Sequence, residues 1–167
     1  MLEDVLSACG PVGRTLLVSE EPVAGIPVEH VVDPGGGQGA AVEAGLRKLD
    51  DGPVLVVNAD LPCAQPRDLL TLLGAMPGDG LALVAAADGT TNALALAAPH
   101  LFAPLYGHGS AGRFLARAAR LETPAALADI PNLADDVDTL ADLERLEGRL
   151  GPRTSAVLEE LRSGLPR

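Results

Sequence analysis

A chain of 167 residues with 23 acidic and 12 basic side chains carries a formal net charge of −11 and has no Trp, one Tyr and two Phe. That length fits one domain with a single well-buried core, and the acidic, aromatic-poor composition excludes a basic, aromatic-studded nucleic-acid surface. Cys9 and Cys63 form no CxxC or Cys/His cluster, no apolar run approaches a membrane span, and no basic n-region leads into an apolar h-region. Reduced thiols in a cytoplasmic protein without membrane or nucleic-acid partners are therefore expected.

Taken in order, Leu2, Val5, Leu6 and Cys9 recur at helical spacing, and Gly10-Pro11 stops the helix. Arg14 to Ser19 and Pro27 to Val32 read as short strands, the second closed by Asp33-Pro34. Gly35, Gly36, Gly37, Gln38 and Gly39 then lead into a helix with Val42, Leu46 and Leu49 on one face. The stretch is neither GxGxxG nor a GxxxxGK[ST] loop. A plain strand-to-helix turn explains one glycine. Three in succession and a fourth favour a backbone that approaches a ligand, with the free amides of the helix start facing it.

Val54 to Val57 is too short for a helix and rich in valine, so it predicts a strand covered on both faces, which delivers Asp60 to its carboxyl end before Pro62 turns the chain. In open α/β sheets ligands bind outside the carboxyl ends of the strands. Asp60 is thus either a cap for the next helix, which starts at Pro66, or a ligand for a cation. Leu81 to Ala86 and Asn92 to Ala97 are strands joined by the short Asp88-Gly-Thr-Thr91 turn, which predicts an antiparallel pair within a mixed sheet. Thr90 and Thr91 are turn residues or present hydroxyls to an anion.

Gly107, His108, Gly109 and Ser110 precede an amphipathic helix containing Arg113. Ser110 is placed as its N-cap, and the same arrangement, with Arg113 in the first turn, can hold a phosphate. One more short strand is expected before Ile130. Asp136 and Asp138 alternate around Val137, which puts both carboxylates on one side of an extended chain, where they repel unless a cation lies between them. Thr139 and Asp142 form a capping box for a helix from Leu140 to Glu147, so Asp136 and Asp138 are not needed as caps. Residues 1–150 read as the domain and 151–167 as a C-terminal helical tail, helical from Thr154 to Leu161 and frayed at its end.

Five stretches in register, Gly35 to Ala41, Asn58-Ala-Asp60-Leu-Pro62, Gly89 to Leu94, Gly107 to Ser110, and Asp136-Val-Asp138-Thr139 to Leu143, resemble the nucleotidyltransferases of coenzyme F420 biosynthesis. These are the 2-phospho-L-lactate and phosphoenolpyruvate guanylyltransferases, within the wider superfamily of molybdenum-cofactor guanylyltransferases. The resemblance covers roughly residues 1–147 and implies an α/β, three-layer Rossmann-like fold of the nucleotide-diphospho-sugar transferase type, with a mixed, mostly parallel sheet.

The implied reaction is attack of a phosphate oxygen of a small acid on GTP, with diphosphate leaving, and it depends on Mg2+ more than on an acid or base side chain. By position, Asp60, Asp136 and Asp138 would act as catalytic metal ligands. Thr91, Gly107 and Ser110 would hold the phosphate and carboxylate of the acceptor, and the loop Gly35, Gly36, Gly37, Gln38, Gly39 would line the guanine side. With the implied ligands in place of the cap reading, Asp60 becomes a metal ligand. A homodimer fits the family.

Relatives usually carry Asn in place of Gly39 and often His in place of Phe114. They also begin with a strand and a Lys/Arg-bearing loop around the triphosphate, so this chain is expected to lack a central member of the sheet and the main positive charge opposite GTP. The rival functions are nucleotidyl transfer to a molybdopterin or sugar phosphate, and a non-catalytic binding domain.

Overall fold

The computed structural model describes residues 1–164. Helix α1 (Leu2–Cys9) leads into β1 (Leu16–Ser19), which pairs in parallel with β2 (Glu29–Val32). Both strands start later than the apolar pattern predicts. Their entry is fixed by Arg14, whose guanidinium lies 2.8 Å from the Glu29 carboxylate.

After α2 (Gln38–Leu46), β3 (Val54–Val57) joins a four-stranded sheet in the order β3-β5-β4-β6, with β4 at Leu81–Ala85, β5 at Thr91–Leu96 and β6 at Ala125–Leu127. β5 runs antiparallel to β3 and β4, whereas β4 and β6 are parallel, so three of the four strands point one way. The predicted β4–β5 pair is present. Its turn is held by the Asp88 carboxylate, which accepts from the Thr90 amide at 2.9 Å and the Thr90 hydroxyl at 2.7 Å.

The strand predicted to be covered on both faces packs Leu55 and Val57 on one core cluster and Val56 on the other, and it is also an edge of its sheet. Val54 is buried but Leu55, Val56 and Val57 are only half-buried, while β5 is buried along its whole length. The reason is that β3 pairs on one side alone. Its other edge faces β1 across a groove of about 1100 Å³ lined by α1, β1, α2 and β3, which ends at Asn58, Ala59 and Asp60. Among the described residues β1 and β3 do not pair, and the two sheets stand apart there.

Helices cover both faces of the larger sheet. On one side Val5 of α1, Leu69 and Leu72 of α3 (Pro66–Ala75) and Leu133 of α5 (Pro131–Ala134) pack with Val84 and Ala95. On the other, Ala111, Phe114 and Ala118 of α4 (Ser110–Arg120) pack on Leu83 and Leu94. Phe114 is 2% exposed, edge-on to Tyr106 at 5.6 Å, so it belongs to the core rather than to a ligand surface.

α6 (Leu140–Arg145) starts with the predicted capping box: the Thr139 amide donates to Asp142 at 3.0 Å, and the Asp142 amide donates back to the Thr139 hydroxyl. It ends two residues earlier than predicted, and a short 3₁₀ turn, Glu147–Arg149, replaces its last turn. The predicted tail helix extends over α7 (Pro152–Gly164), and its frayed end lies outside the described residues. Asp4 of α1 holds the start of α7, accepting from the Arg153 amide at 3.1 Å, the Thr154 amide at 2.8 Å and the Thr154 hydroxyl at 2.6 Å.

Candidate active site

Asp60 leaves the carboxyl end of β3, and the structure removes the capping alternative. The N-cap of α3 is Gln65, whose amide donates to Asp68 Oδ2 at 3.0 Å in a reciprocal capping box. Among the described residues Asp60 Oδ1 is buried and has no hydrogen-bond partner. A buried, unpartnered carboxylate oxygen is costly, which makes Asp60 a candidate ligand-binding group. Burial pushes the Asp60 carboxyl above the ordinary aspartate range, and the nearby charges of Asp136 and Asp138 push it further.

Asp60 and the Asp136–Asp138 segment are tied through the backbone. The Val137 amide donates to the Asp60 carbonyl at 3.1 Å, and Val137 itself is 6% exposed, packed with Cys63 and Leu146. With Val137 turned into the core, Asp136 is half-buried and Asp138 exposed. Burial raises the Asp136 carboxyl as well, helped by the charges of Asp138 and Asp88. The three acids therefore share one field, although among the described residues no three His, Cys, Asp or Glu side chains close into a complete metal cage.

The glycine loop begins with the Asp33 carboxylate accepting from the Gly35 amide at 2.8 Å. Gly35, Gly36 and Gly37 have φ of +76°, +92° and +89°, a run of left-handed backbone that explains three consecutive glycines by conformation alone. Gly39 has a different reason. A Cβ there would stand 2.6 Å from Pro104 Cβ, so the Asn common in relatives does not fit without moving Pro104. Gln38 turns back to the strand ends, donating through Nε2 to Asn58 Oδ1 at 2.7 Å, and Asn58 Nδ2 in turn reaches the Thr91 carbonyl at 3.4 Å.

Thr91, Gly107 and Ser110 come together. Ser110 Oγ donates to Thr91 Oγ1 at 3.0 Å, and the Ser110 amide donates to the Gly107 carbonyl at 2.9 Å. Ser110 is not the N-cap. That position belongs to Gly109, at φ +68°, and Ser110 is the first helical residue, 0% exposed, with its hydroxyl directed at Thr91. Arg113 is likewise not available to a phosphate. Its guanidinium donates to the carbonyls of Leu105 at 2.8 Å, Tyr106 at 3.0 Å and His108, bracing the loop from inside.

The residue types predicted for the site thus fall into two groups, Asp60 with Asp136 and Asp138, and Thr91 with Gly107 and Ser110. Gln38 and Asn58 connect the glycine loop to both. Sequence reasoning missed Asn58 and Asn92 as connectors. The available signal was an amide at the end of an apolar strand, where only a side chain with a fixed partner is tolerated.

Residues 1–122 match the MobA-like NTP transferase domain. The chain is 37% identical over 139 residues to a phosphoenolpyruvate guanylyltransferase of Streptomyces scabiei, an alignment covering 77% of this chain and 63% of that protein's length. It is 35% identical over 156 residues to the phosphoenolpyruvate guanylyltransferase of Sphaerobacter thermophilus, covering 86% and 73%. Its backbone matches the crystal structure of a proposed nucleotide-diphospho-sugar transferase from Desulfovibrio desulfuricans G20, with a TM-score of 0.71 at 15% identity over 96% of this chain and 80% of that one, which speaks for the fold alone. Fold and sequence agree, and the chain belongs to the family of the MobA-like NTP transferase domain.

Proposed function

We propose that the protein is a guanylyltransferase that moves GMP from GTP to a small phosphorylated acid, phosphoenolpyruvate or 2-phospho-L-lactate, as a step of coenzyme F420 biosynthesis. The observation that carries the reading is the tie between the Asp60 carbonyl and the Val137 amide, which joins the strand end that carries Asp60 to the segment that carries Asp136 and Asp138. The relatives named above are guanylyltransferases using phosphoenolpyruvate, which supports the same acceptor here.

The residues fit a divalent cation. Carboxylate oxygens are hard donors, one of them, Asp60 Oδ1, is buried and unpartnered, and Mg2+ needs only one or two protein carboxylates because substrate phosphates and water complete its shell. Asp60, Asp136 and Asp138 would hold Mg2+, which when bound neutralises charge on the triphosphate and the departing diphosphate. The Gly35–Gly39 loop, with Gln38 fixed on Asn58, lines the guanine side. Thr91, Gly107 and Ser110 orient the acceptor, so that its phosphate oxygen forms a bond to the α-phosphorus of GTP while the bond to the β-phosphate oxygen breaks. No side chain has to move a proton, because the nucleophile is already an anion and the leaving group departs as one. On this reading the partners are small molecules, the setting is the cytoplasm, and the unit is a homodimer.

The test is to incubate the chain with GTP, phosphoenolpyruvate and Mg2+, and to follow diphosphate release and the guanylylated acid by mass spectrometry. Diphosphate that needs the phosphorylated acid, and GTP in preference to ATP, is the expected result. Diphosphate released without the acid, or turnover with ATP as fast as with GTP, contradicts the proposal.

A further inference from the structure

Asn92 is a carboxamide in a strand that is otherwise apolar after Thr91, running Ala93, Leu94, Ala95 and Leu96, and it is 1% exposed. A buried amide costs free energy to the extent that its polar atoms lack partners. Its contacts reach both stretches that carry the site's acids. The Asn58 backbone amide donates to the Asn92 backbone carbonyl at 3.0 Å, two residues before Asp60, and the side-chain Nδ2 of Asn92 donates to the Ala134 carbonyl at 3.3 Å, two residues before Asp136. Exchanging the amide oxygen and nitrogen would set an acceptor against the Ala134 carbonyl, so the orientation is determined. The remaining atom, Asn92 Oδ1, is buried without a partner, and among the described residues the only other buried side-chain oxygen or nitrogen in that condition is Asp60 Oδ1.

We infer that Asn92 is a positioning residue, whose amide nitrogen pins Ala134, and with it the segment that leads to Asp136, to β5 and so sets the distance between Asp136 and Asp60 that a shared divalent cation requires. The inference rests on the reading that those two carboxylates bind one cation. Residues that hold a ligating carboxylate in place commonly change metal affinity by about 10- to 100-fold when removed. A donor role makes a sign prediction that a ligand role does not. Asn92→Asp keeps the shape and adds negative charge, yet as a carboxylate it cannot donate to the Ala134 carbonyl.

The test is Mn2+ titration of the full chain by electron paramagnetic resonance, with no substrate, on wild type, Asn92→Ala, Asn92→Asp, Asp60→Asn and Asp136→Asn. The expected result is Mn2+ binding by wild type, its loss in both aspartate variants, and affinity about 10-fold weaker or worse in both Asn92 variants. Tighter or unchanged binding in Asn92→Asp overturns the inference, and so does unchanged affinity in Asn92→Ala. If only the Asn92 results fail, the cation site stands and the positioning role falls. A wild type that binds no Mn2+ overturns both. Should neither Asn92 variant fold by circular dichroism, the side-chain amide resonance of Asn92 in wild type decides. A shift and slower exchange on adding Mg2+ support the role, and an unmoved resonance overturns it.

Discussion

Asp135 and Asp136 are neighbours in sequence and opposites in chemistry. Asp135 receives Arg145 at 2.8 Å and Arg149 at 2.5 Å, and although burial pushes its carboxyl up, these bonds hold it below the ordinary aspartate range. Among the described residues no arginine pairs with Asp136, and burial and like charges push it the other way. The same division runs through the molecule. Asp4, Asp68, Asp88 and Asp142 each accept from a backbone amide or a hydroxyl at a turn or helix start, whereas Asp60 ends a strand with a buried oxygen that nothing meets. An acid with partners supports the fold, and an acid without them weakens the fold unless a ligand arrives.

The largest effect that separates the two groups is on turnover. Asp60→Asn is expected to lower guanylyl transfer by about 10³-fold, the loss of roughly 4 kcal/mol of charge stabilisation, while the unliganded melting temperature stays the same or rises. Steady-state diphosphate release and calorimetry on one preparation check both halves. A fall in stability instead would move Asp60 into the structural group.

The partnered acids predict the reverse. Asp4→Ala leaves two amides and a hydroxyl of α7 without their acceptor, which is expected to lower unfolding free energy by about 3 kcal/mol. Urea denaturation reads this as a lower midpoint at unchanged slope. Gly39→Ala lies between the groups, since its Cβ must displace the backbone-constrained Pro104. It is expected to cost about 1–3 kcal/mol and to weaken GTP binding in the same variant. Wild-type stability and affinity there would show that Pro104 gives way to a Cβ at position 39 without cost.

The smallest effect is in pH dependence. Burial holds the Asp60 carboxyl high, so the folded protein binds that proton more tightly than the unfolded chain does. Its charged form therefore weakens the fold at neutral pH, and this penalty is relieved as pH falls through the raised value, being fully gone below the unfolded aspartate range. Asp60→Asn never carries the charge. The variant is expected to exceed wild type in stability at neutral pH, without divalent cations, by a margin that closes on acidification. A margin constant with pH would contradict the assignment.

Features set by near neighbours were legible in the sequence. The Thr139/Asp142 capping box, the β4–β5 hairpin and the helix over Leu2–Cys9 each depend on residues a few positions apart. What was not legible depends on distant partners. Asp4 caps a helix 150 residues away, Ser110 gives its hydroxyl to Thr91 instead of capping α4, and Gly39 is small because Pro104 lies on it. The valine-rich run of β3 reads as a buried strand in any context. Only the pairing shows it to be an edge, facing β1 across an open groove. The alternation around Val137 singled out Asp136 and Asp138 for the proposed site, but it could not show why Asp135 differs, because the arginines that hold Asp135 come from α6 and the turn after it.

The most direct test of the division between partnered and unpartnered acids is the melting temperature of wild type and Asp60→Asn with Mg2+ alone, GTP alone, and both. The account predicts that GTP with Mg2+ stabilises wild type, that neither does so fully alone, and that Asp60→Asn loses the shift while folding as well as wild type. An equal shift in Asp60→Asn, or a GTP shift in wild type indifferent to Mg2+, would contradict it.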